Sequence, residues 1–137
     1  MSYLVSDLRS QRPRVVKQSL NSIFLTIRLD AQETPDTEPY SYFIDFEKLG
    51  AIDNIYYVFQ NSKDDQIRDL ASICIGQLYR ARRFEDNNMR EQVVNHLTAL
   101  SKLTDDNDVV YKSAIQTLRN LHKQQEEQNS QYEQAIV

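Results

Sequence analysis

Glycine and proline are scarce in this sequence, with two glycines and three prolines among 137 residues. Sheets whose strands are joined by tight turns need more of both, because these two residues form such turns. Their scarcity favours helices joined by short polar turns. The length fits a single domain spanning residues 1–137, since a chain of this size buries roughly two-thirds of the surface that its unfolded form exposes.

Cysteine occurs once, at Cys74, so no disulfide can form within the chain. Cys74 lies in the apolar run 71–75, where a reduced thiol packs as a small hydrophobic group. The sequence has no apolar run near the ~20 residues that a membrane span needs, and its first residues lack the pattern of a secretory signal. We therefore expect a cytoplasmic location, with the nucleus as the alternative, and no membrane contact.

Residues that carry recognisable chemistry are also few. Two glycines can hardly build a phosphate-binding loop, and the sequence has no nucleophile motif. His96 and His122 are isolated, with no cysteine or second histidine at a metal-binding spacing. The net charge of −4 argues against general attraction to nucleic acid. The sequence predicts no enzyme, no metal, no cofactor and no nucleic-acid partner.

Apolar residues recur at helical spacing in most of the chain. This periodicity predicts helices over 14–29, 40–49, 51–60, 65–82, 89–102 and 109–125. The segment 30–39 has two prolines and four acids, which is typical of a solvated loop, with an acidic docking motif as the alternative. Residues 1–11 and 125–137 are expected to be flexible, around an ordered core at about 12–124.

Glycine and acidic residues mark the turns between these helices. Gly50 suits a left-handed conformation that stops a helix. The segments 61–65 and 104–108 are similar acidic turns, each followed by a long helix, and their carboxylates suit a helix N-terminus.

An internal repeat connects the two helices that follow the acidic turns. Five positions match at a constant offset of 43 residues, pairing Ile67, Ala71, Ile75, Gln77 and Leu78 with Val110, Ala114, Leu118, Asn120 and Leu121. The first helix carries a weaker copy made of Val15, Ser19, Ile23, Leu25 and Thr26. The apolar positions form one core stripe, and the small residue allows a neighbouring helix to approach closely.

The segment from Leu49 to Leu78, together with the Asn120–Leu121 pair, resembles the armadillo repeat family. In that family a short helix ends at a glycine, a second helix follows, and a longer third helix carries a small residue and a late Asn-Leu pair. The resemblance covers residues 12–124 and implies an all-α fold, a short right-handed α-solenoid of about three repeats. HEAT repeats share the periodicity, and a helical bundle without repeats is a further alternative. Where import receptors of the family have tryptophan, this chain has Ile73 and Gln116.

The resemblance also implies a binding groove lined by the third helices. Helical geometry assigns to it the residues Arg28, Leu70, Ile73, Gln77, Arg80, Ser113, Gln116, Asn120 and Lys123. Amides there can bond a peptide backbone, and the cations can attract an acidic segment. We therefore expect a non-enzymatic adaptor or scaffold that binds a protein or peptide.

Two alternatives accompany this groove. The cations can instead favour helix dipoles without any partner, and Leu70 and Ile73 can be ordinary core residues. The chain can also be a structural unit that self-associates end to end through its terminal repeats.

Overall fold

The structure is a computed structural model, and it describes residues 2–31, 35, 38–103 and 109–136. These residues contain helices and no strands, which confirms the all-α prediction. The elements are α1 (Ser2–Asp7), α2 (Pro13–Ala31), α3 (Phe43–Lys48), α4 (Ala51–Asn61), α5 (Asp65–Leu78), α6 (Asn87–Ser101) and α7 (Val109–Ile136). Within the described ranges we find no helix with the length and apolar character that crossing a membrane requires.

Side-chain caps and one glycine fix several helix ends. The Asp64 carboxylate accepts the backbone N–H groups of Gln66 and Ile67 at 2.9 and 3.4 Å, which begins α5. Asp86 begins α6 in the same way. Gly50 separates α3 from α4 with φ 75°, a left-handed conformation that confirms the expected stop. The acidic turn at 104–108 and most of the loop at 32–37 lie outside the described residues.

The end of α5 differs from the sequence prediction. We expected the helix to reach residue 82, but it ends at Leu78, because Ala81 adopts a left-handed conformation with φ 54°. Ala81 carries no sequence signal for this conformation, which glycine or asparagine favour.

Helices α5 and α7 run side by side in the same direction. Gly76 of α5 faces Thr117 and Leu121 of α7, while the carbonyl of Arg82, further along the chain, accepts the Gln124 side-chain amide. The contact later in the α5 segment, at Arg82, is therefore also the later one on α7, at Gln124. This order means that α5 and α7 run parallel.

Helix α2 lies against the other side of α5, also parallel to it. Near the two N-termini, Lys17 donates to the Gln66 side chain. Near the two C-termini, burial raises the pKa of Tyr40, and the charge of Asp30 on one helix raises it further while the charge of Arg80 beyond the other lowers it. Helices α2, α5 and α7 therefore form one layer, with α5 in the middle.

A second layer contains α1, α4 and α6, which run opposite to the first layer. The Asn54 amide of α4 donates to the Val5 carbonyl of α1 at 3.0 Å. At the other side of α4, the Phe59 ring meets the His96 ring of α6 edge-on, with ring centroids 5.3 Å apart. Each of these helices packs against the helix that follows it in the chain, giving the pairs α1–α2, α4–α5 and α6–α7.

The hydrophobic core lies between the layers and surrounds α5. Nine of the fourteen α5 residues are buried, including Ile67, Leu70 and Ile75. A central helix buried on most sides is expected to be apolar around most of its circumference.

Both ends of the chain are helical beyond the expected ordered core. Residues 2–7 form α1, and Val5 and Leu8 are buried. This short helix was not predicted from the sequence, although Val5 and Leu8 lie about one helical turn apart. At the other end, α7 continues to Ile136 rather than ending near 125.

Candidate functional site

The predicted groove residues of α7 are accessible. Gln116 and Lys123 are exposed, while Ser113 and Asn120 are half-buried. The Gln116 side-chain amide donates to the Asn120 side-chain oxygen at 3.1 Å, which holds the two amides together. These side chains can offer hydrogen bonds to the backbone of another chain.

The predicted groove residues of α5 are mostly covered. Ile73 is 0% exposed and Leu70 is also buried, so both pack in the core, as the alternative interpretation of these two residues expects. Gln77 is half-buried, and its side-chain oxygen has no hydrogen-bond partner among the described residues. An unsatisfied buried acceptor costs about 1–3 kcal/mol, so a donor supplied at Gln77 would be favourable.

The three predicted cations have different environments. Lys123 is exposed and Arg28 is half-buried, but Arg80 is only 5% exposed. The Arg80 guanidinium donates through Nε to the carbonyl of Glu38 at 3.2 Å, which ties the segment before α3 to the end of α5. In this structure Arg80 therefore serves packing at a helix end, and the three cations do not form one exposed line.

The side of the layer on which these residues lie follows from helix geometry. Gly76 faces α7, whereas Leu121 faces α5, and each step along a helix turns the side chain by about 100°. Gln77 follows Gly76 by one residue and Asn120 precedes Leu121 by one, so they turn away from the interface in opposite senses. The two helices are parallel and the starting residues face each other. A turn of about 100° in one sense on α5 and in the other sense on α7 therefore brings both side chains to the same side of the plane that contains the two helix axes. We call this side of the α2–α5–α7 layer the groove face.

A cleft of about 570 Å³ lies at one tip of the molecule, away from the residues predicted from the sequence. It separates the α1–α2 turn from the α4–α5 turn, and Leu8, Val16 and Ile67 form its apolar floor. At its rim, the Arg9 guanidinium stacks 3.9 Å above the ring centroid of Tyr57. The sequence could not predict this cleft, since its walls come from segments about 50 residues apart.

A smaller pocket of about 300 Å³ lies where α3, α4, α5 and α6 meet. Its lining consists of Glu47, Ile52, Asp53, Tyr79, Glu85, Asp86 and Met89, and we call it the acidic pocket. The carboxylates of the pocket lie at three separate places in the sequence, at residue 47, at residue 53 and at residues 85–86. No local sequence motif therefore predicts the pocket.

The reactive side chains of the structure are engaged in packing. Cys74 is fully buried, and burial raises the pKa of its thiol. His96 Nε2 lies 2.8 Å from a carboxylate oxygen of Asp69, with both side chains mostly covered. No group of three or more potential metal ligands occurs among the residues that the structure describes.

Comparison with family models, curated proteins and solved structures finds no match to this chain. The armadillo resemblance therefore rests on the motifs of the sequence alone.

Proposed function

We propose that this chain is a non-catalytic interaction module that binds an extended peptide or protein segment along the groove face. The observation that carries the proposal is the parallel arrangement of α2, α5 and α7, with the repeat-related amides Gln77 and Asn120 on the same side of their layer. Amides in a row can bond a peptide backbone without reading its side chains.

The packing of the helices also supports a repeat architecture, a short right-handed α-solenoid of about three armadillo-like repeats. Each proposed repeat contributes one helix to either layer, and only neighbouring pairs contact each other extensively. The close approach of α5 and α7 occurs at residues 76 and 117, an offset near the repeat length. A partner segment with acidic residues fits the exposed Lys123 of α7 and the half-buried Arg28 of α2.

A paired set of variants tests the groove face. The double variant Gln116→Ala and Asn120→Ala removes the two amides of α7, whereas Gln92→Ala and Asn95→Ala removes the same groups from an exposed part of α6. With each chain as bait, affinity purification followed by quantitative mass spectrometry should lose its specific partners only for the α7 variant. Equal capture by both variants, with unchanged circular dichroism spectra, would reject binding at the groove face.

Exposed leucines on α2 favour a second candidate function, assembly end to end. Leu25 and Leu29 are 44% and 66% exposed and lie about one turn apart on a helix at the edge of its layer, and an exposed apolar patch marks a possible interaction site. Light scattering over a wide range of protein concentrations distinguishes the two candidates. A mass that stays at that of the monomer would remove self-assembly.

A further inference from the structure

The cleft at the tip of the molecule, which we call the tip cleft, has an apolar floor and an accessible apolar wall. Leu8, Val16 and Ile67 form the floor, and the ring of Tyr57, which is 44% exposed, lies on the wall. The volume of about 570 Å³ lies within the range of protein pockets that bind small ligands. An apolar group that enters this space and displaces its water gains free energy from the hydrophobic effect.

One arginine is held at the rim of the tip cleft by uncharged partners. The Arg9 guanidinium stacks 3.9 Å above the ring centroid of Tyr57, and its Nε donates to Oδ1 of Asn54 at 2.9 Å. The Asn54 amide donates in turn to the Val5 carbonyl, which fixes its orientation. Binding usually costs the entropy of ordering a long side chain, and these contacts have already ordered Arg9. Arg9 is therefore a preorganised cation beside an apolar cavity.

The charge of Arg9 is not neutralised by a carboxylate of the protein. Arg9 forms no ion pair with any residue that the structure describes, and its two Nη groups donate to none of them. Arg12 and Arg14, on either side of the lining residue Pro13 in the sequence, are exposed. The segment 8–18 contains no acidic residue. The α1–α2 side of the tip cleft therefore carries a local positive charge.

The opposite wall of the tip cleft carries charges of both signs. Lys63 lines this wall and is exposed, while Asp65 is exposed in the first turn of α5. Asp64 also lines the cleft, but its carboxylate accepts the backbone N–H groups of Gln66 and Ile67 and is partly satisfied by them. This wall is therefore close to neutral, and the positive charge of the α1–α2 side decides which ligands are attracted.

We propose that the tip cleft binds an acidic segment of a partner protein, with one large apolar side chain in the cavity and a neighbouring carboxylate on Arg9. The two Nη groups of a guanidinium can donate to both oxygens of one carboxylate, which fixes the position of the segment. The apolar side chain then contacts the floor of the cleft. The local positive charge attracts acidic segments even though the chain as a whole has a net charge of −4.

The shape of the tip cleft favours a protein segment over a lipid surface or a nucleic acid. Its floor residues are buried, so the flat surface of a bilayer cannot reach them, whereas a single projecting side chain can. A nucleic acid would use the cations through its phosphates and leave the apolar floor without a contact. This site lies apart from the groove face and does not depend on binding there.

A set of small peptide probes tests the tip cleft directly. The acetylated and amidated tripeptide Asp-Phe-Asp is titrated into the ¹⁵N-labelled chain. The tripeptide Asn-Phe-Asn lacks the carboxylates, and Asp-Ala-Asp lacks the large apolar side chain. We expect saturable shifts of the backbone amides in the ranges 8–17 and 57–67 with Asp-Phe-Asp only. Equal shifts with either control peptide, or shifts no larger in these ranges than elsewhere, would overturn the proposal. Sedimentation of the chain with vesicles of phosphatidylcholine and phosphatidylserine, without shifts from the peptide, would overturn it in favour of a lipid surface.

Matched charge variants complete the test. Arg9→Gln removes the cation at the rim, and Arg83→Gln removes an exposed cation elsewhere. Because one partly screened ion pair contributes modestly, Arg9→Gln should weaken binding of Asp-Phe-Asp by roughly three- to tenfold and Arg83→Gln hardly at all. Arg9→Lys keeps the charge but loses the planar fork, so its effect should be intermediate.

Circular dichroism establishes that each variant folds. If Arg9→Gln fails to fold, Lys63→Gln removes a charge from the opposite wall and should still weaken binding more than Arg83→Gln does. Equal weakening by the rim variants and by Arg83→Gln would mean that the peptide responds only to net charge, which would overturn the proposal. Partner capture through Gln116 and Asn120 should be unaffected by Arg9→Gln, so failure of one proposal leaves the other testable.

Discussion

Replacing Gly76 by alanine probes the contact that aligns α5 with α7. A Cβ atom at Gly76 would lie within 3.0 Å of Thr117 Cγ2, a separation that real Cβ atoms essentially never show, and 3.4 Å from Leu97 Cδ1. Thr117 cannot easily move aside, because it is buried and its β-branched side chain has only two favourable χ1 rotamers in a helix. The added methyl group therefore forces the two helices apart or distorts Thr117.

Two opposing terms set the size of the effect. Overpacking a close contact costs about 1–3 kcal/mol. Alanine in place of glycine inside a helix contributes about 1 kcal/mol in the opposite direction. We therefore expect Gly76→Ala to lower the free energy of unfolding by up to about 2 kcal/mol, the difference between these two terms.

A double-mutant cycle with Thr117→Ser isolates the contact. Serine keeps the hydroxyl group and removes the methyl group that a Cβ at Gly76 would meet. In the Thr117→Ser background, Gly76→Ala should be neutral or stabilising, which gives a coupling energy of about 1–3 kcal/mol between the two sites. Urea unfolding followed by circular dichroism at 222 nm provides the free energies. Equal effects of Gly76→Ala in both backgrounds would refute the close approach of α5 and α7.

Three further predictions concern stability and reactivity. Ala81→Gly should raise the free energy of unfolding by roughly 0.5–1 kcal/mol in urea titrations, because glycine adopts φ 54° without strain and Ala81 is exposed; a loss of stability would contradict this. Cys74 should react with a thiol reagent such as DTNB only as fast as the whole chain unfolds, and rapid reaction in native buffer would show that the core around α5 is open. The free energy of unfolding should fall as pH rises above about 10, where tyrosine ionises in the unfolded chain, because burial raises the pKa of Tyr40 and Tyr79 in the fold. Their stabilising effect is fully present below that pH, and urea midpoints that stay constant from pH 8 to 10.5 would contradict the burial.

Periodicity and turn chemistry predicted the all-α class and most of the helices. The apolar spacing predicted the bounds of α2, α4, α5 and α6 to within a few residues, except at the C-terminal end of α5. This is expected, because the buried face of an amphipathic helix appears in the sequence as apolar residues at helical spacing. Gly50 was predicted to be left-handed and the turn at 61–65 to begin a helix, and the structure confirms both. These features depend on neighbours in the chain, which a sequence displays directly.

The features that the sequence did not predict depend on distant residues. The position of Arg80 near the end of a predicted helix led us to expect an exposed cation. In the structure Arg80 is buried, and its guanidinium donates to the carbonyl of Glu38, which is distant in the sequence. The repeat pattern assigned Ile73 to a surface, although α5 has neighbours on both sides. The acidic pocket combines side chains from four helices and the segments beside them, so its carboxylates are seen to line one cavity only in the fold.

Cross-linking within the monomer tests most directly whether the repeat-related amides face the same way. Gln77→Cys is combined with Asn120→Cys in one variant and with Arg119→Cys in the other, and both are treated with a short bismaleimide while Cys74 stays buried. The two positions on α7 are adjacent in sequence but differ in direction by about 100°. We predict rapid cross-linking for the Gln77–Asn120 pair and slow cross-linking for the Gln77–Arg119 pair, as measured by peptide mass spectrometry. Equal rates, or faster reaction of the second pair, would contradict a shared groove face.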